Sequence, residues 1–272
     1  MAGWTRALAN GYLGVVGEAR LAAMIEDLTR RLTAAAPAPR GLPYLGLERP
    51  SGSGVQLLEA LSAHGIFRKY ELVLDLGGGL GSTARWLAGR LGCTAVATTD
   101  DAAVAAGGRA LTRRASLSGH VHHVCAEPGA LPFGNARFTH VWFVETLPRM
   151  RDVPAALAEA WRVVRPGGYL AMQDLIVSDA ARAPVVVGWR FATVDARRDA
   201  LGRAGFVDLA LRSVADAVER SARIGAARAR LRARLEAGDD DELRRLSQER
   251  TTLAAALADG RLELVQLVAR RP

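Results

Sequence analysis

The stretch Val73-Leu74-Asp75-Leu76-Gly77-Gly78-Gly79-Leu80-Gly81-Ser82-Thr83 decides the fold. A short apolar run passes through an acid, turns through glycines and enters a segment with helical character. Without Cβ atoms, Gly77, Gly79 and Gly81 allow the backbone to turn sharply and to approach a ligand closely. Nucleotide-like ligands dock at such turns, where a strand of an open parallel sheet leads into a helix. Because glycine-rich turns also occur as plain connections, the surrounding sequence has to separate the two interpretations.

Outward from this stretch, short apolar runs alternate with segments of helical spacing. Strands are predicted at 71–76, 94–99, 120–125, 139–144, 169–175, 206–212 and 262–269. Helices are predicted between them at about 82–91, 101–114, 152–164 and 194–204. This alternation is typical of a parallel sheet with helices on both faces.

Two predicted helical segments lie outside this core. The predicted division is an N-terminal helical segment (1–66), a core (67–213), a helical insertion (214–260) and a last core strand (261–272). The insertion carries an apolar stripe made of Leu243, Leu246, Leu253 and Leu257. Either the insertion is a hairpin packed on the core or on a partner subunit, which would allow a homodimer, or it forms a lid together with the N-terminal segment.

Acidic residues end the strands that follow the glycine turn. Asp100 and Asp101 come about 20 residues after the glycines, where a carboxylate can accept both hydroxyls of a ribose. Glu127 follows the third strand, and Phe143-Val144-Glu145 ends the fourth. Because parallel strands end at the same edge of a sheet, these residues are expected to converge on one crevice.

With these motifs in order, the chain resembles a class I S-adenosylmethionine (SAM)-dependent methyltransferase of the small-molecule subgroup. That subgroup includes sterol, glycine/sarcosine and many natural-product enzymes. The resemblance runs from about Val73 to Asp174, with later segments that suit the family's last helix and strands. Its motifs are the glycine turn, Asp100, Ala126-Glu127, Leu131-Pro132-Phe133, Trp161 to Gly168, Leu201 to Phe206, and Leu262 to Ala269.

The resemblance implies an α/β fold: a Rossmann-like, seven-stranded, mostly parallel sheet with an antiparallel last strand. It implies SAM as the cofactor, with the glycines against its methionine part and ribose and Asp75 organising the turn and the amino group. Asp100 would hold the ribose hydroxyls, and Glu127 the exocyclic amine of adenine. The predicted cofactor-binding residues are Asp75, Gly77, Gly79, Gly81, Asp100, Asp101, Glu127, Pro128 and Phe143.

Three positions depart from the family pattern. Gly78 stands where the subgroup often has cysteine, and Thr139 replaces a common aspartate near the fourth strand. Pro128 has no N–H, so the backbone cannot donate a hydrogen bond to adenine at that position. These differences concern details of the cofactor contact.

The acceptor side of the site is predicted from position. Glu145 and Arg149 lie in a segment, Glu145 to Met150, where related sterol and lipid enzymes carry Glu-Ser…His-Met. Glu145 could act catalytically by removing a proton or stabilising a cation, or it could cap the following helix or pair with Arg149. Gln173 is predicted to contact the acceptor, and Tyr44 with the turn Ser51–Gly54 is predicted to close over the methionine end.

The composition also bears on nucleic-acid binding, metal binding and cellular location. The 272 residues carry a net charge of +8, almost all of it from arginine, and a diffuse basic surface is favoured over a nucleic-acid site. The chain has only two cysteines, and its strand histidines fall on opposite faces, with His120 and His122 on one and His123 on the other. This pattern predicts no metal site. Without a run long enough to span a membrane or a signal-like N-terminus, the chain is predicted to be cytoplasmic.

Three functions are compatible with these features. The leading one is methyl transfer to O, N or C of a small, partly apolar metabolite. A second is a SAM-fold protein without methyl transfer, such as a cyclase or a binding scaffold. A third is an RNA methyltransferase, which is disfavoured because Val144-Glu145-Thr146-Leu147 stands where amino-directed nucleic-acid enzymes carry Asn/Asp-Pro-Pro-aromatic.

Overall fold

The computed structural model describes residues 20–25, 47–49, 51, 55–63, 70–213, 222–237 and 241–272. Seven strands within these residues form one sheet. In chain order they are β1 (Leu72–Asp75), β2 (Thr94–Thr99), β3 (Val121–Cys125), β4 (Phe138–Val144), β5 (Val164–Ile176), β6 (Val207–Ser213) and β7 (Glu263–Arg270). Their order across the sheet is β3-β2-β1-β4-β5-β7-β6.

The sheet is parallel from β3 to β5 and antiparallel beyond it. β1 pairs with β2 on one side and with β4 on the other, and both pairings are parallel. β7 runs antiparallel between β5 and β6, one strand in from the edge, as predicted. Because the chain continues from β1 first to one side and then to the other, a crevice opens at the carboxyl ends of β1 and β4.

Helices flank the sheet at the predicted positions. They are α1 (Val55–Ser62), α2 (Ser82–Leu91), α3 (Ala102–Arg114), α4 (Val153–Val163), α5 (Val194–Arg203), α6 (Ala222–Glu236) and α7 (Asp241–Ala258). The side chains of Asp101, Asp152 and Thr193 accept hydrogen bonds from free amides at the starts of α3, α4 and α5. Short oxygen-bearing side chains are favoured at such positions, which accounts for where these three helices begin.

Alternating residues of the strands feed two apolar clusters, one on each face of the sheet. Trp142 of β4 is buried in the first cluster with Trp86 of α2. Its neighbour Phe143 is buried in the second cluster with Leu157 of α4. The central strands are therefore covered on both faces, as expected for a parallel sheet.

The fifth strand begins earlier than predicted, at Val164 instead of 169. Gly167 takes a positive φ of 71°, and its N–H donates to the carbonyl of Arg271 at 2.8 Å. The N–H of Arg271 donates in turn to the carbonyl of Gly168 at 2.9 Å. The two glycines therefore lie at an irregularity of β5 beside the end of the chain, where the pairing of β5 with β4 shifts its register.

The insertion folds as a pair of helices, α6 and α7, that packs on the core. Leu231 and Leu235 of α6, with Leu243 and Leu246 of α7, belong to the same cluster as Trp86. The predicted apolar stripe is thus covered largely within one chain, and its continuation, Leu253, is buried in a further apolar cluster with Leu175 of β5. The homodimer, the lid and the domain boundaries remain predictions of the sequence.

In the described part of the chain, no helix combines the length and the apolar character that a membrane span requires.

Candidate functional site

The glycine turn joins β1 to α2 and is held by the end of β2. The N–H of Gly77 donates to the Thr98 hydroxyl at 3.0 Å, and that of Gly79 donates to the Thr98 carbonyl at 3.3 Å. Gly77, Gly79 and Gly81 have φ values of 73°, 53° and 82°. These left-handed conformations are easy only for glycine, so the predicted tight turn is confirmed.

Side chains are also excluded from this turn by space. A Cβ atom on Gly81 would lie 2.4 Å from Cε1 of His123, and one on Gly77 would lie 2.9 Å from Cε of Met150. A Cβ on Gly78 would lie 2.3 Å from Oδ2 of Asp75, so glycine at this position leaves room for the Asp75 carboxylate. His123 is thus a packing residue behind the turn, with its Nε2 2.8 Å from the Thr112 hydroxyl.

Asp75 lies at the bottom of the crevice and has no exposed surface. Its Oδ2 accepts the N–H of Ala84 in the first turn of α2 at 3.2 Å. Its Oδ1 is also buried and accepts no hydrogen bond from any residue in the described part of the chain. Burial raises the pKa of Asp75 to about 7, partly offset by the Ala84 amide and by Arg49. A buried carboxylate oxygen without a donor is costly, and a ligand could supply the missing partner.

The two neighbouring acids after β2 have different surroundings. Asp100 is exposed at the strand end. Asp101 is buried, and its Oδ1 accepts the N–H groups of Ala103 and Val104 at 2.6 and 2.8 Å. The Asp101 carboxylate therefore caps α3, which leaves Asp100 as the acid accessible to a ligand.

The three remaining predicted cofactor residues, Glu127, Pro128 and Phe143, also differ in their exposure. Glu127 is exposed and Pro128 half-buried, in a turn closed by the N–H of Ala130 donating to the Glu127 carbonyl at 3.1 Å. That turn lies beside the end of β2, because the N–H of Ala126 donates to the Thr99 carbonyl at 2.8 Å. Phe143, in contrast, has no exposed surface and packs in the core. Its side chain lines no open surface of the crevice, and its contact with the cofactor stays a prediction.

Glu145 follows β4 in a strained conformation, with a φ of 60° that is uncommon for a residue other than glycine. Its carboxylate is buried and accepts the Ser51 hydroxyl at 2.5 Å and the amide of Gln173 at 2.8 Å. The helix-cap alternative is wrong, because the 3-10 helix Leu147–Arg149 that follows has no side-chain cap, and Asp152 caps α4 through the N–H of Ala155 at 2.9 Å. Strain of this kind is retained mainly where the surroundings fix it, often at functional sites.

Gln173 is buried beside Glu145 and continues the polar contact across the sheet, since its Oε1 accepts the amide of Gln266 at 3.2 Å. Arg149 is exposed, with its guanidinium 5.8 Å from the ring centre of Trp189. The next acid along β5, Asp174, is paired with the buried Arg197 at 2.7 Å on the other face of the sheet. Gln173, and not Asp174, therefore belongs to the crevice.

A short segment that sequence analysis passed over covers this crevice. We name residues 47–49 and 51 the strap; Arg49 and Ser51 within it are buried. Ser51 was predicted here as part of a turn, whereas Tyr44 and residues 52–54 lie outside the described residues. Arg49 and Glu48 were missed, because charged residues between prolines ordinarily indicate a solvated loop.

Among the described residues, no group of three or more histidine, cysteine, aspartate or glutamate side chains could hold a metal ion.

The part of the chain that forms this crevice is similar to known proteins. A family model described as a methyltransferase domain matches residues 74–172. The methyltransferase GfsG of Streptomyces halstedii is 33% identical over 129 residues, which cover 46% of this chain and 46% of that protein. The chain thus spans about half the length of the curated relatives it matches.

Solved structures with the same fold include proteins of different named activities. The [4+2]-cyclase SpnF superposes with a TM-score of 0.64 at 22% identity, covering 80% of this chain and 81% of that one. The geranyl diphosphate C-methyltransferase from Streptomyces coelicolor A3(2) superposes with a TM-score of 0.60 at 16% identity, covering 80% and 79%. At these identities the likeness is one of fold. Residues 74–172 thus match the model of a methyltransferase domain, and the solved structures share the fold of the chain.

Proposed function

We propose that the protein binds SAM and transfers its methyl group to an oxygen, nitrogen or carbon atom of a small, partly apolar metabolite. One observation carries the proposal: the glycine turn at Gly77–Gly81 lies among carboxylates at the ends of neighbouring strands, namely Asp75, Asp100 and Glu145. The match of residues 74–172 to a methyltransferase domain supports it.

The residues present fit this cofactor. Side chains are absent from the glycine turn, so a ligand can approach its backbone closely. The N-terminus of α2, which is the positive end of the helix dipole, lies beside the turn. The buried Oδ1 of Asp75 lacks a donor within the described residues, and an ammonium group would supply one. Asp100 and Glu127, both exposed at the same edge, would hold the ribose hydroxyls and the adenine amine.

Asp100→Ala is expected to weaken SAM binding by about 1–3 kcal/mol, because a buried ribose hydroxyl pair would lose its acceptor. The protein should keep its stability, since this side chain is exposed. The neighbouring Asp101→Ala is the matched control: losing the α3 cap should cost about 1 kcal/mol of stability. Calorimetry and thermal unfolding of both variants test the pair, and unchanged affinity in Asp100→Ala would remove its role.

The bound cofactor would supply a methyl group on a positively charged sulfur, open to in-line attack. The chain would then have to hold the acceptor close, in line and shielded from water, which can be worth roughly 7–11 kcal/mol. Glu145 is suited to remove the acceptor's proton, because Ser51 and Gln173 fix its carboxylate at the crevice. General-base catalysis of this kind contributes about 10²–10⁴-fold in rate.

The loops beside Glu145 support a partly apolar acceptor. The Trp189 and Phe191 rings stack 5.7 Å apart in the loop after β5. That loop joins the segment after β4, since the N–H of Arg190 donates to the Pro148 carbonyl at 2.6 Å. Trp189 is buried in an apolar cluster with Leu175, and Arg149 places a positive charge beside its ring.

Transfer of a labelled methyl group from SAM across a panel of phenols, amines and isoprenoids tests the function. Once an acceptor is found, Glu145→Gln should lower turnover about 10²–10⁴-fold while SAM affinity is retained. The exposed Glu263→Gln serves as the control. Intact turnover in Glu145→Gln would exclude this residue as the base. SAM uptake without transfer to any acceptor would favour the non-methylating alternative, whose fold SpnF shares.

A further inference from the structure

Three buried polar side chains on neighbouring strands form a row that leads from the crevice into the antiparallel half of the sheet. Glu145 follows β4, Gln173 lies on β5, and Gln266 lies on β7 as the register partner of Gln173. Their exposed fractions are 5%, 0% and 1%. We name these three residues the polar row. Polar groups buried this deeply are costly unless they bind one another, so the row acts as one unit.

The hydrogen bonds of the polar row run in one direction. The amide nitrogen of Gln266 donates to Oε1 of Gln173 at 3.2 Å, and the amide nitrogen of Gln173 donates to Oε1 of Glu145 at 2.8 Å. An ionised carboxylate only accepts hydrogen bonds, so the Gln173 amide has to turn its nitrogen to Glu145 and its oxygen to β7. A donor on β7 therefore holds the Gln173 amide in the orientation that Glu145 needs.

Packing alone does not call for an amide at position 266. Val268, two residues further along β7 on the same face, is apolar and buried. Val265 and Leu267, on the opposite face, are buried in the second cluster. Replacing a buried hydrogen-bonded pair by apolar groups of the same shape is often nearly neutral for stability. The amide of Gln266 is therefore explained better by its effect on Glu145 than by the core.

We propose that Gln266 is a positioning residue for methyl transfer, which acts on Glu145 through Gln173. Its donated hydrogen bond keeps the Gln173 nitrogen directed at Glu145, and Ser51 holds the other carboxylate oxygen from the strap. In the reaction, the bond from the acceptor atom to the methyl carbon forms, the carbon–sulfur bond breaks, and the acceptor's proton goes to the Glu145 carboxylate. The inference rests on the proposed function, in which Glu145 is the base.

Gln266→Glu tests the direction of the polar row without any acceptor. A carboxylate at position 266 would only accept, so two acids would compete for the one amide nitrogen of Gln173, and the unfolding temperature should fall. With Glu145→Gln already present, the row is satisfied in the reverse direction, and the same change should cost much less. Gln266→Met, which removes the donor without adding a charge, is the second variant should Gln266→Glu fail to fold. Equal losses of either change in both backgrounds overturn the coupling.

Turnover of an acceptor found in the methyl-transfer panel tests the positioning role. Gln266→Met should lower kcat roughly tenfold to a hundredfold, with KM for the acceptor and the affinity for SAM within about twofold of wild type. In the Glu145→Gln background it should lower kcat no further, because its effect passes through that carboxylate. Val265→Ala is the control, since it opens a cavity on the other face of the same strand. It should lower the unfolding temperature and leave kcat unchanged.

Three outcomes separate this role from the proposed function. A wild-type kcat in Gln266→Met overturns the positioning role, and so do effects of Gln266→Met and Glu145→Gln that multiply. Intact turnover in Glu145→Gln overturns it as well, while methyl transfer itself stands. Wild-type protein that methylates no compound of the panel overturns the proposed function, and the role of Gln266 in transfer falls with it.

Discussion

Gly81→Ala is expected to abolish SAM binding and to lower the free energy of unfolding by several kcal/mol. Gly81 has a φ of 82°, and a left-handed residue with a side chain costs roughly 1–2 kcal/mol. The new Cβ would also lie 2.4 Å from Cε1 of His123. The His123 ring has little room to move away from the new Cβ, because it also packs closely on Gly108, where a Cβ would lie 2.5 Å from the same atom. The turn itself would therefore have to move.

Gly92→Ala provides the matched control at the other end of the same helix. Gly92 has a similar φ of 73°, but a Cβ there would meet no atom within 4 Å. This variant should lose roughly 1 kcal/mol of stability and bind the cofactor normally. Adding His123→Ala to Gly81→Ala should restore part of the loss. Chemical denaturation and calorimetry measure both effects, and normal binding by Gly81→Ala would refute the role given to the turn.

Asp75→Asn is expected to weaken cofactor binding by at least tenfold and to stabilise the free protein above neutral pH. Folding raises the pKa of Asp75 from 3.8 to about 7, because burial disfavours the charged form. The folded state therefore holds its proton more tightly than the unfolded state. The stabilisation that comes from binding this proton is complete below about pH 4 and is lost as the pH rises through 7. At about 1.4 kcal/mol per pH unit, the loss is on the order of 4 kcal/mol.

The stability difference between Asp75→Asn and wild type should consequently be small near pH 4 and favour the variant at pH 8. Cofactor affinity should change in the other direction, since wild-type binding should strengthen as Asp75 ionises between pH 6 and 8. Denaturant unfolding and calorimetry across this range test both statements. Asp152→Asn, which changes an exposed helix cap and keeps Asp75, is the control, and its stability should depend on pH as that of wild type does. A pH-independent difference would contradict the burial argument.

The fold was predictable because its signals are local. Apolar runs at strand spacing, the glycine turn and the capping residues act over a few positions, and the structure has the strands and helices where these patterns indicate. The main departure in the core, the early start of β5, depends on contacts between Gly167 and Arg271, which lie far apart in sequence. No pattern within either segment reports them.

The site was predictable only in part, for the same reason. Strand ends indicate where acids converge, but they do not tell Asp100 from Asp101. The two acids differ in the structure, because only the Asp101 carboxylate accepts hydrogen bonds from the first turn of α3. The alternation of β4 could have indicated that Phe143 faces the core beside Val141. The strap could not be inferred, because the contact of Arg250 with Leu47 spans 203 positions and has no counterpart in local composition.

Titration of the folded wild-type protein with S-adenosylhomocysteine, the demethylated product, tests the central claim most directly. The cradle at Gly77–Gly81 predicts saturable uptake of one molecule per chain, weakened in Asp100→Ala and lost in Gly81→Ala. Protein that is folded by circular dichroism but gives no binding heat over a range of temperatures would contradict it.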